Sequence, residues 1–100
     1  MARVVITEPA DADVREIIAY LIKEAGRPVA QRYAQAFDAA YDRLADFPGI
    51  GPQRPALGVG TRIWVVRPYV IIYEHYDDTV TVLRILHGKR DITERLLRTR

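Results

Sequence analysis

The stretch that decides the fold is Thr61–Asp91, which reads TRIWVVRPYVIIYEHYDDTVTVLRILHGKRD. It contains three runs that are rich in β-branched and aromatic residues, a composition typical of strands. Pro68 stands between the first two runs, TRIWVV and YVIIYEHY, and Asp77–Asp78 precedes the third run, TVTVLRILH. An Asp pair between two such runs is compatible with a two-residue hairpin turn. The stretch therefore predicts a three-stranded antiparallel meander.

Two amphipathic helices are predicted upstream of the meander. They follow a short β-branched strand, RVVIT at residues 3–7. Apolar residues then recur with helical spacing from Val14 to Ile22, with Thr7 or Glu8 as the cap and Gly26 as the stop. A second helical pattern begins near Pro28 and ends at residues 48–49. Because the link between the two patterns is short, we expect an antiparallel helical hairpin.

The element order is therefore βααβββ, which predicts an α+β fold with the helical hairpin on one face of the sheet. The other face is expected to be solvated or covered by something else. DITERLL at residues 91–97 adds the option of a short C-terminal helix, with Asp91 as its cap and Glu94 three residues later. At 100 residues, one domain spanning positions 1–100 is the expectation, with the Gly- and Pro-rich run Phe47–Gly60 as a loop inside it.

Composition excludes several classes of chemistry. The chain contains neither cysteine nor serine, which excludes disulfides, thiolate metal sites and the commonest nucleophiles. His75 and His87 are the only histidines, and no carboxylates accompany them at metal-ligand spacing, so no metal or cofactor is expected. No apolar run approaches the roughly 18 residues that span a bilayer, and the N-terminus turns acidic too early for a signal peptide. We therefore expect a cytoplasmic protein with no membrane partner.

Basic residues are concentrated in the C-terminal half, although the net charge is only +2. If the ends of the first and third meander strands meet at one edge, they form a single basic patch. The candidate members of that patch are Arg54, Arg62, Lys89, Arg90 and His87. Two interpretations stay open, a docking surface and an ordinary solvated strand end, and His87 also suits a hydrogen bond to the backbone. Strand alternation places Arg84 and His87 on opposite faces unless a bulge intervenes.

Aromatic residues offer a further candidate surface. Tyr69, Tyr73 and Tyr76 lie in one predicted strand, where they pack the sheet or form a stacking platform for nucleic-acid bases. Packing is favoured because tyrosine is a common strand residue. Trp64 belongs to the core or to the open sheet face, where it would anchor a partner.

The order and spacing of these segments resemble the ParE branch of the RelE/ParE superfamily of bacterial toxins. The resemblance rests on FPGIG at Phe47–Gly51 and on the stretch Thr61–Asp91, with its YVIIY strand and ILHGKRD ending. It implies the βααβββ fold and a cytoplasmic toxin that poisons DNA gyrase without catalysis of its own. It also implies a ParD-like antitoxin, with a DNA-binding N-terminal domain, that wraps the toxin in a hetero-oligomer. The candidate target-binding residues are Arg54, Arg62, Trp64, His87, Lys89 and Arg90.

The second branch of the superfamily, the RelE-like nucleases that cut messenger RNA on the ribosome, is the alternative. Such an enzyme needs several cations and a tyrosine around the scissile phosphate. This sequence keeps Arg62 and Arg90, and His87 is a further candidate because some nuclease relatives use a terminal histidine.

Three other positions depart from the nuclease pattern, namely Trp64, Val70 and Leu96. They stand where a lysine, an arginine and a tyrosine are expected from the resemblance. Loss of one such group typically lowers the rate by about two to three orders of magnitude. Catalysis is therefore disfavoured, and a toxin that has lost its activity and survives as an interaction partner is a third option.

Overall fold

The computed structural model of the protein describes residues 1–90, 92–93 and 96–97. Its elements, in chain order, are β1 (Arg3–Ile6), α1 (Glu8–Ala25), α2 (Arg27–Asp46), a 3-10 turn (Pro55–Leu57), β2 (Thr61–Val66), β3 (Tyr69–Tyr76) and β4 (Thr79–His87). The predicted α+β class and βααβββ order are confirmed. Leu96 and Leu97 have helical conformation, whereas Asp91 and Glu94, the residues predicted to begin the terminal helix, lie outside the described residues.

The four strands form one sheet in the order β1-β4-β3-β2. β2, β3 and β4 are antiparallel neighbours, as the sequence predicts, and Asp77 takes a positive φ of 53° in the turn between β3 and β4. β1 pairs with β4 in parallel, with Arg3 opposite Thr79. Parallel neighbours need a long crossover connection, and the helical hairpin lies within the chain that joins these two strands.

The start of α1 and the boundary between the two helices lie at residues that the sequence marks. The Thr7 hydroxyl accepts a hydrogen bond from the Ala10 N–H at 3.3 Å and donates one to the Val82 carbonyl at 2.8 Å, so the cap of α1 also ties the helix to β4. Gly26, at a φ of 93°, ends α1 and precedes α2, a conformation that a side chain would strain. α2 ends at Asp46, earlier than predicted, because Pro48 disfavours helical conformation at Phe47.

The sheet separates two apolar clusters. The larger one lies between the sheet and the helices, and its fully buried side chains include Phe37, Leu44, Ile71, Tyr73 and Val82. The smaller one, on the opposite face, consists of Leu57, Ile63, Ile72 and Leu86, with Ile92, Leu96 and Leu97 packed against it. The chain's own 3-10 turn and C-terminal segment therefore cover part of the face that the sequence leaves open.

β4 contains a bulge near its middle. Ile72 of β3 lies opposite Arg84, and Tyr73 lies opposite Val82, so Leu83 has no partner on β3. Val82 and Ile85 consequently both face the helices although they are three residues apart. β1 pairs with β4 only as far as Val82, so the second half of β4 has no strand on its outer side in the described structure.

Neither helix of the described part combines the length and the apolar composition that crossing a bilayer requires.

Candidate functional site

Arg62 and Tyr73 together hold the loop that follows α2. Arg62 Nη1 donates hydrogen bonds to the carbonyls of Gly49 at 3.0 Å and Gly51 at 2.7 Å. The Tyr73 hydroxyl donates to the Pro48 carbonyl at 2.8 Å and accepts from the Gly51 N–H at 3.0 Å. Burial raises the pKa of Tyr73, which keeps its hydroxyl protonated and able to donate. The FPGIG segment is therefore held against the sheet by the guanidinium of Arg62. The sequence had made this guanidinium a candidate for contact with a phosphate.

Gly51 is required by the closeness of this contact. A Cβ atom at this position would lie 2.2 Å from the Ile63 carbonyl oxygen and 2.7 Å from the Tyr73 hydroxyl. Gly49, two residues earlier, would meet nothing within 4 Å. The two glycines of the motif thus differ, and only Gly51 allows the loop to pass against β2 and β3.

Arg84 forms a largely buried ion pair with Asp13 of α1. Arg84 Nε donates to Asp13 Oδ2 at 2.6 Å, and Arg84 Nη2 donates to Oδ1 at 2.9 Å. Asp13 also accepts the Ile85 N–H at 3.0 Å, at the part of β4 that lacks a strand neighbour. The hydrogen bonds to Asp13 raise the pKa of the Arg84 guanidinium.

The Arg84–Asp13 pair joins three parts of the chain, because Arg84 Nη1 also donates to the Leu96 carbonyl at 3.2 Å. Helix, strand and C-terminal segment meet at one guanidinium. Arg84 therefore has a structural role, and sequence patterning did not identify Asp13 as its partner because 71 residues separate the two.

The end of β4 turns sharply and packs against the turn between β2 and β3. His87 Nδ1 accepts the Lys89 N–H at 3.0 Å, and the Gly88 N–H donates to the Pro68 carbonyl at 2.7 Å. The His87 ring meets Tyr69 edge to face, with centroids 5.7 Å apart. Lys89 and Arg90 are exposed just beyond this turn. The backbone hydrogen bond considered for His87 is thus present.

The candidate basic residues fall into two separate groups, so the single patch predicted from the sequence is wrong. Arg62 lies opposite Tyr73, which lies opposite Val82, five residues before His87. At about 3.3 Å per residue, this separates Arg62 from His87 by roughly 15 Å along the strands. The physical reason is that β2 and β4 run in the same direction on either side of β3, so the start of β2 is level with the first half of β4.

Each of the two groups has its own neighbours. Arg54 stays with Arg62, because the Arg54 N–H donates to the Thr61 carbonyl at 2.8 Å. His87, Lys89 and Arg90 lie together at the other end of the sheet.

Trp64 is partly buried and packs against the cluster between the sheet and the helices. Its placement as an anchor on the open face is therefore wrong, because its neighbour across the sheet, Ile71, faces the helices. Tyr69 and Tyr73 are buried in the same cluster, which confirms the packing interpretation for both. Tyr76 is 80% exposed at the far end of β3.

Among the concave regions in the described part of the protein, two adjoin the residues discussed above. A cleft of about 230 Å³ lies between α1 and the end of β4, and it is lined by Glu16, Tyr20, Tyr69, His87 and Arg90 among others. A wider groove of about 470 Å³ lies on the opposite sheet face, lined by Leu57, Val59, Glu74, Leu83 and Leu97 among others. Tyr20 is 60% exposed, falls outside the apolar stripe of α1 and gave no signal in the sequence.

The architecture defines the chain as a small α+β domain with a helical hairpin on one face of a four-stranded sheet. A chain of the chromosomal ParDE TA system from P. aeruginosa has the same fold, with a TM-score of 0.74 over 87% of this chain and 96% of that chain at 22% identity. The protein belongs to the family described as ParE toxin of type II toxin-antitoxin system, parDE, whose family model matches residues 4–92.

Two relatives from Caulobacter vibrioides are similar over nearly the whole chain. Toxin ParE3 is 29% identical over 96% of this chain and 96% of its own length. Toxin RelE2 is 40% identical over 90% of this chain and 99% of its own length. The protein is therefore a type II toxin of the ParDE kind, and its family implies an antitoxin partner of the ParD type.

Proposed function

We propose that this ParE-family toxin arrests growth by inhibiting DNA gyrase, without catalysis of its own, in the cytoplasm. The observation that carries the proposal is the position of Arg62. Its guanidinium is bound to two loop carbonyls, and its backbone lies about 15 Å along the sheet from that of His87, with Arg90 beyond the end of β4. The groups that stabilise a reacting phosphate must all lie within hydrogen-bond distance of it, so this separation supports binding over catalysis by these three residues.

The turn after β4 is the proposed contact with the target. Its backbone is fixed by the Gly88–Pro68 hydrogen bond and by His87 Nδ1, whereas the side chains of Lys89 and Arg90 project into solvent. A rigid backbone with exposed cations suits recognition, because little order has to be gained on binding. Arg62, in contrast, already donates to two carbonyls and is less available to a partner.

A ParD-type antitoxin is proposed to cover the groove on the sheet face opposite the helices. Val59 is fully exposed there, and the apolar side chains of Leu57, Leu83 and Leu97 line the same groove. An amphipathic antitoxin segment that buries these side chains would stabilise the toxin by mass action. We expect the complex to unfold at a higher temperature than the isolated toxin, and equal stability of the two would contradict this docking.

A supercoiling assay of DNA gyrase in the presence of purified toxin tests whether gyrase is the target. We expect loss of supercoiling and trapped cleavage complexes at micromolar toxin, both reversed by the antitoxin. The double variant Lys89→Gln/Arg90→Gln should need at least about tenfold more toxin, as expected when two charged contacts of about 1 kcal/mol each are lost. Arg3→Gln/Arg43→Gln, which removes two exposed arginines at the other end of the molecule, is the matched control. Full supercoiling in the presence of wild-type toxin would refute the proposal.

Messenger RNA cleavage on the ribosome is the second candidate, favoured by the 40% identity to Toxin RelE2. Primer extension on translated messenger RNA distinguishes the two functions. Codon-phased cuts that disappear with Arg90→Ala would favour the nuclease. Intact transcripts, together with gyrase inhibition, would favour the first proposal.

A further inference from the structure

The fold gathers exposed cations from three separate elements at one end of the molecule. The end of β4 contributes Lys89 and Arg90, the turn between β2 and β3 contributes Arg67, and the helical hairpin contributes Lys23 and Arg27. These five side chains, named here the basic end, are all exposed. Within the described residues none of them forms an ion pair. Only two of the five were candidates from the sequence.

Short contacts fix these elements relative to one another. Gly88 N–H donates to the Pro68 carbonyl at 2.7 Å, which joins the end of β4 to the turn that bears Arg67. The Tyr33 hydroxyl donates to the Arg67 carbonyl at 3.2 Å, which joins α2 to the same turn. The cleft lined by Tyr20 and Arg90 places the second half of α1 beside the end of β4. These contacts fix the backbone segments that bear the cations of the basic end.

The start of α2 adds to the positive potential at this end. Its first turn contains Arg27 and no acidic residue, and no side chain caps its N–H groups. The first N–H groups of a helix carry a partial positive charge that favours anions. Helices usually place acidic residues at this position, so the arrangement found here raises the positive potential of the basic end.

Acidic residues lie at the opposite end of the molecule. Asp77 and Asp78 form the turn between β3 and β4, and Asp42 and Asp46 occupy the end of α2. The Arg3 N–H donates to the Asp78 carbonyl, and the Ala2 N–H donates to the Ala45 carbonyl, so these two acidic segments flank the same region. A protein polarised in this way presents its basic end to a polyanion and turns its acidic end away.

We propose that the basic end binds the phosphate backbone of duplex DNA directly, without reading sequence. This deepens the proposed function, on which it rests for its biological role: the toxin would contact the DNA held by gyrase, not only the enzyme. Cations drawn from several turns outnumber the neighbouring carboxylates Glu16 and Glu24, and a surface with an excess of exposed cations suits the evenly spaced phosphates of a duplex. Such contacts fix position and supply affinity but carry no base specificity.

The salt dependence of binding gives a quantitative test. Each phosphate contact contributes about −0.9 to the slope of log K against log salt concentration, so five contacts give a slope of about −4 to −5. Non-specific affinities of this kind lie near 10⁻⁴ to 10⁻⁶ M at physiological salt. Fluorescence anisotropy with a short labelled duplex of arbitrary sequence, between about 50 and 200 mM salt, measures both quantities.

Matched variants test the position of the contacts. Lys89→Gln/Arg90→Gln should reduce the magnitude of the slope by about 1.8, and Arg67→Gln by about 0.9. Arg3→Gln/Arg43→Gln removes the same charge as the first pair from the other end, and it should leave the slope within about 0.5 of wild type. Glutamine keeps the stem of each exposed side chain, and circular dichroism confirms that each variant is folded.

The outcomes separate this inference from the proposed function. Binding with the expected slope, lost only in the basic-end variants, supports the inference even if gyrase proves not to be inhibited. Gyrase inhibition that depends on Lys89 and Arg90, without duplex binding by the toxin alone, overturns the inference and assigns the surface to a protein contact. An equal loss of binding in the matched control also overturns it, because net charge alone would then explain the affinity.

Discussion

Replacing Asp13 by alanine tests the connection between α1 and β4. The carboxylate accepts three hydrogen bonds, from Arg84 Nε, Arg84 Nη2 and the Ile85 N–H, and the side chains of the ion pair are only 10–13% exposed. Removal of one partner from a buried pair leaves an uncompensated charge and destabilises a protein by about 3–5 kcal/mol. Because some solvent reaches the pair, we expect about 3 kcal/mol. For a domain of this size that corresponds to a fall in melting temperature of roughly 12–24 °C.

A matched control lies two residues earlier on the same helix. Asp11 pairs with Arg15, and both side chains are more than half exposed. Alanine has the same advantage in helix propensity at either position, so that contribution cancels in the comparison. Asp11→Ala should lower the free energy of unfolding by no more than about 1 kcal/mol, from a weak surface pair and the loss of a negative charge in the first turn of the helix.

Urea denaturation of both variants compares their free energies of unfolding. A double-mutant cycle then measures the interaction energy between Asp13 and Arg84. Asp13→Ala/Arg84→Met removes both charges, so it should be less destabilised than the sum of the two single variants. A difference below 1 kcal/mol between Asp13→Ala and Asp11→Ala would refute the structural role assigned to the pair. So would additive effects in the cycle, because a direct ion pair requires coupling.

Two further predictions concern the loop and the helical layer. Gly51→Ala should destabilise the protein by about 1–3 kcal/mol in urea denaturation, because its Cβ would lie 2.2 Å from the Ile63 carbonyl, whereas Gly49→Ala should be close to neutral. Equal effects of the two glycine substitutions would contradict the assigned packing of the loop. Burial, and then the neighbouring Asp38, raise the pKa of Tyr41 to about 12 from 10. Because the folded state favours the protonated phenol, its contribution to stability is present below pH 10 and is lost as the pH rises through 12. Tyr41→Phe should abolish the latest step of an ultraviolet tyrosinate titration, and an unchanged titration would argue against burial of this hydroxyl.

The element order could be predicted from the sequence because each boundary carries a local signal. Thr7 and Gly26 have capping chemistry that acts within a few residues, and period-two and helical spacing separate strands from helices. The end of α2 was placed a few residues late, since the effect of Pro48 extends to the residue before it. The parallel pairing of β1 with β4 has no local signal, because it joins the two ends of the chain.

The candidate site could be predicted only in part, because contacts between residues far apart in the sequence again carry no local signal. His87, Lys89 and Arg90 are neighbours in sequence and remain neighbours in the fold, whereas the partners of Arg62 and Arg84 are set by the tertiary structure. Arg62 binds loop carbonyls and Arg84 binds Asp13, so a count of basic residues could not separate structural cations from exposed ones. The bulge at Leu83, which sets the faces of the second half of β4, has no glycine to mark it.

The pairing of β1 with β4 also constrains when the toxin can form during its own synthesis. The Thr7 hydroxyl donates to the carbonyl of Val82, 75 residues later, so the first strand has no strand partner until β4 has been synthesised. Long-range pairings of this kind slow folding, because the entropy of loop closure is lost before the contacts that compensate for this loss can form. A growing chain therefore cannot complete its sheet before β4 has been synthesised. The surface formed by β4 is assembled only after both helices have been made, which delays the first encounter of the toxin with any target.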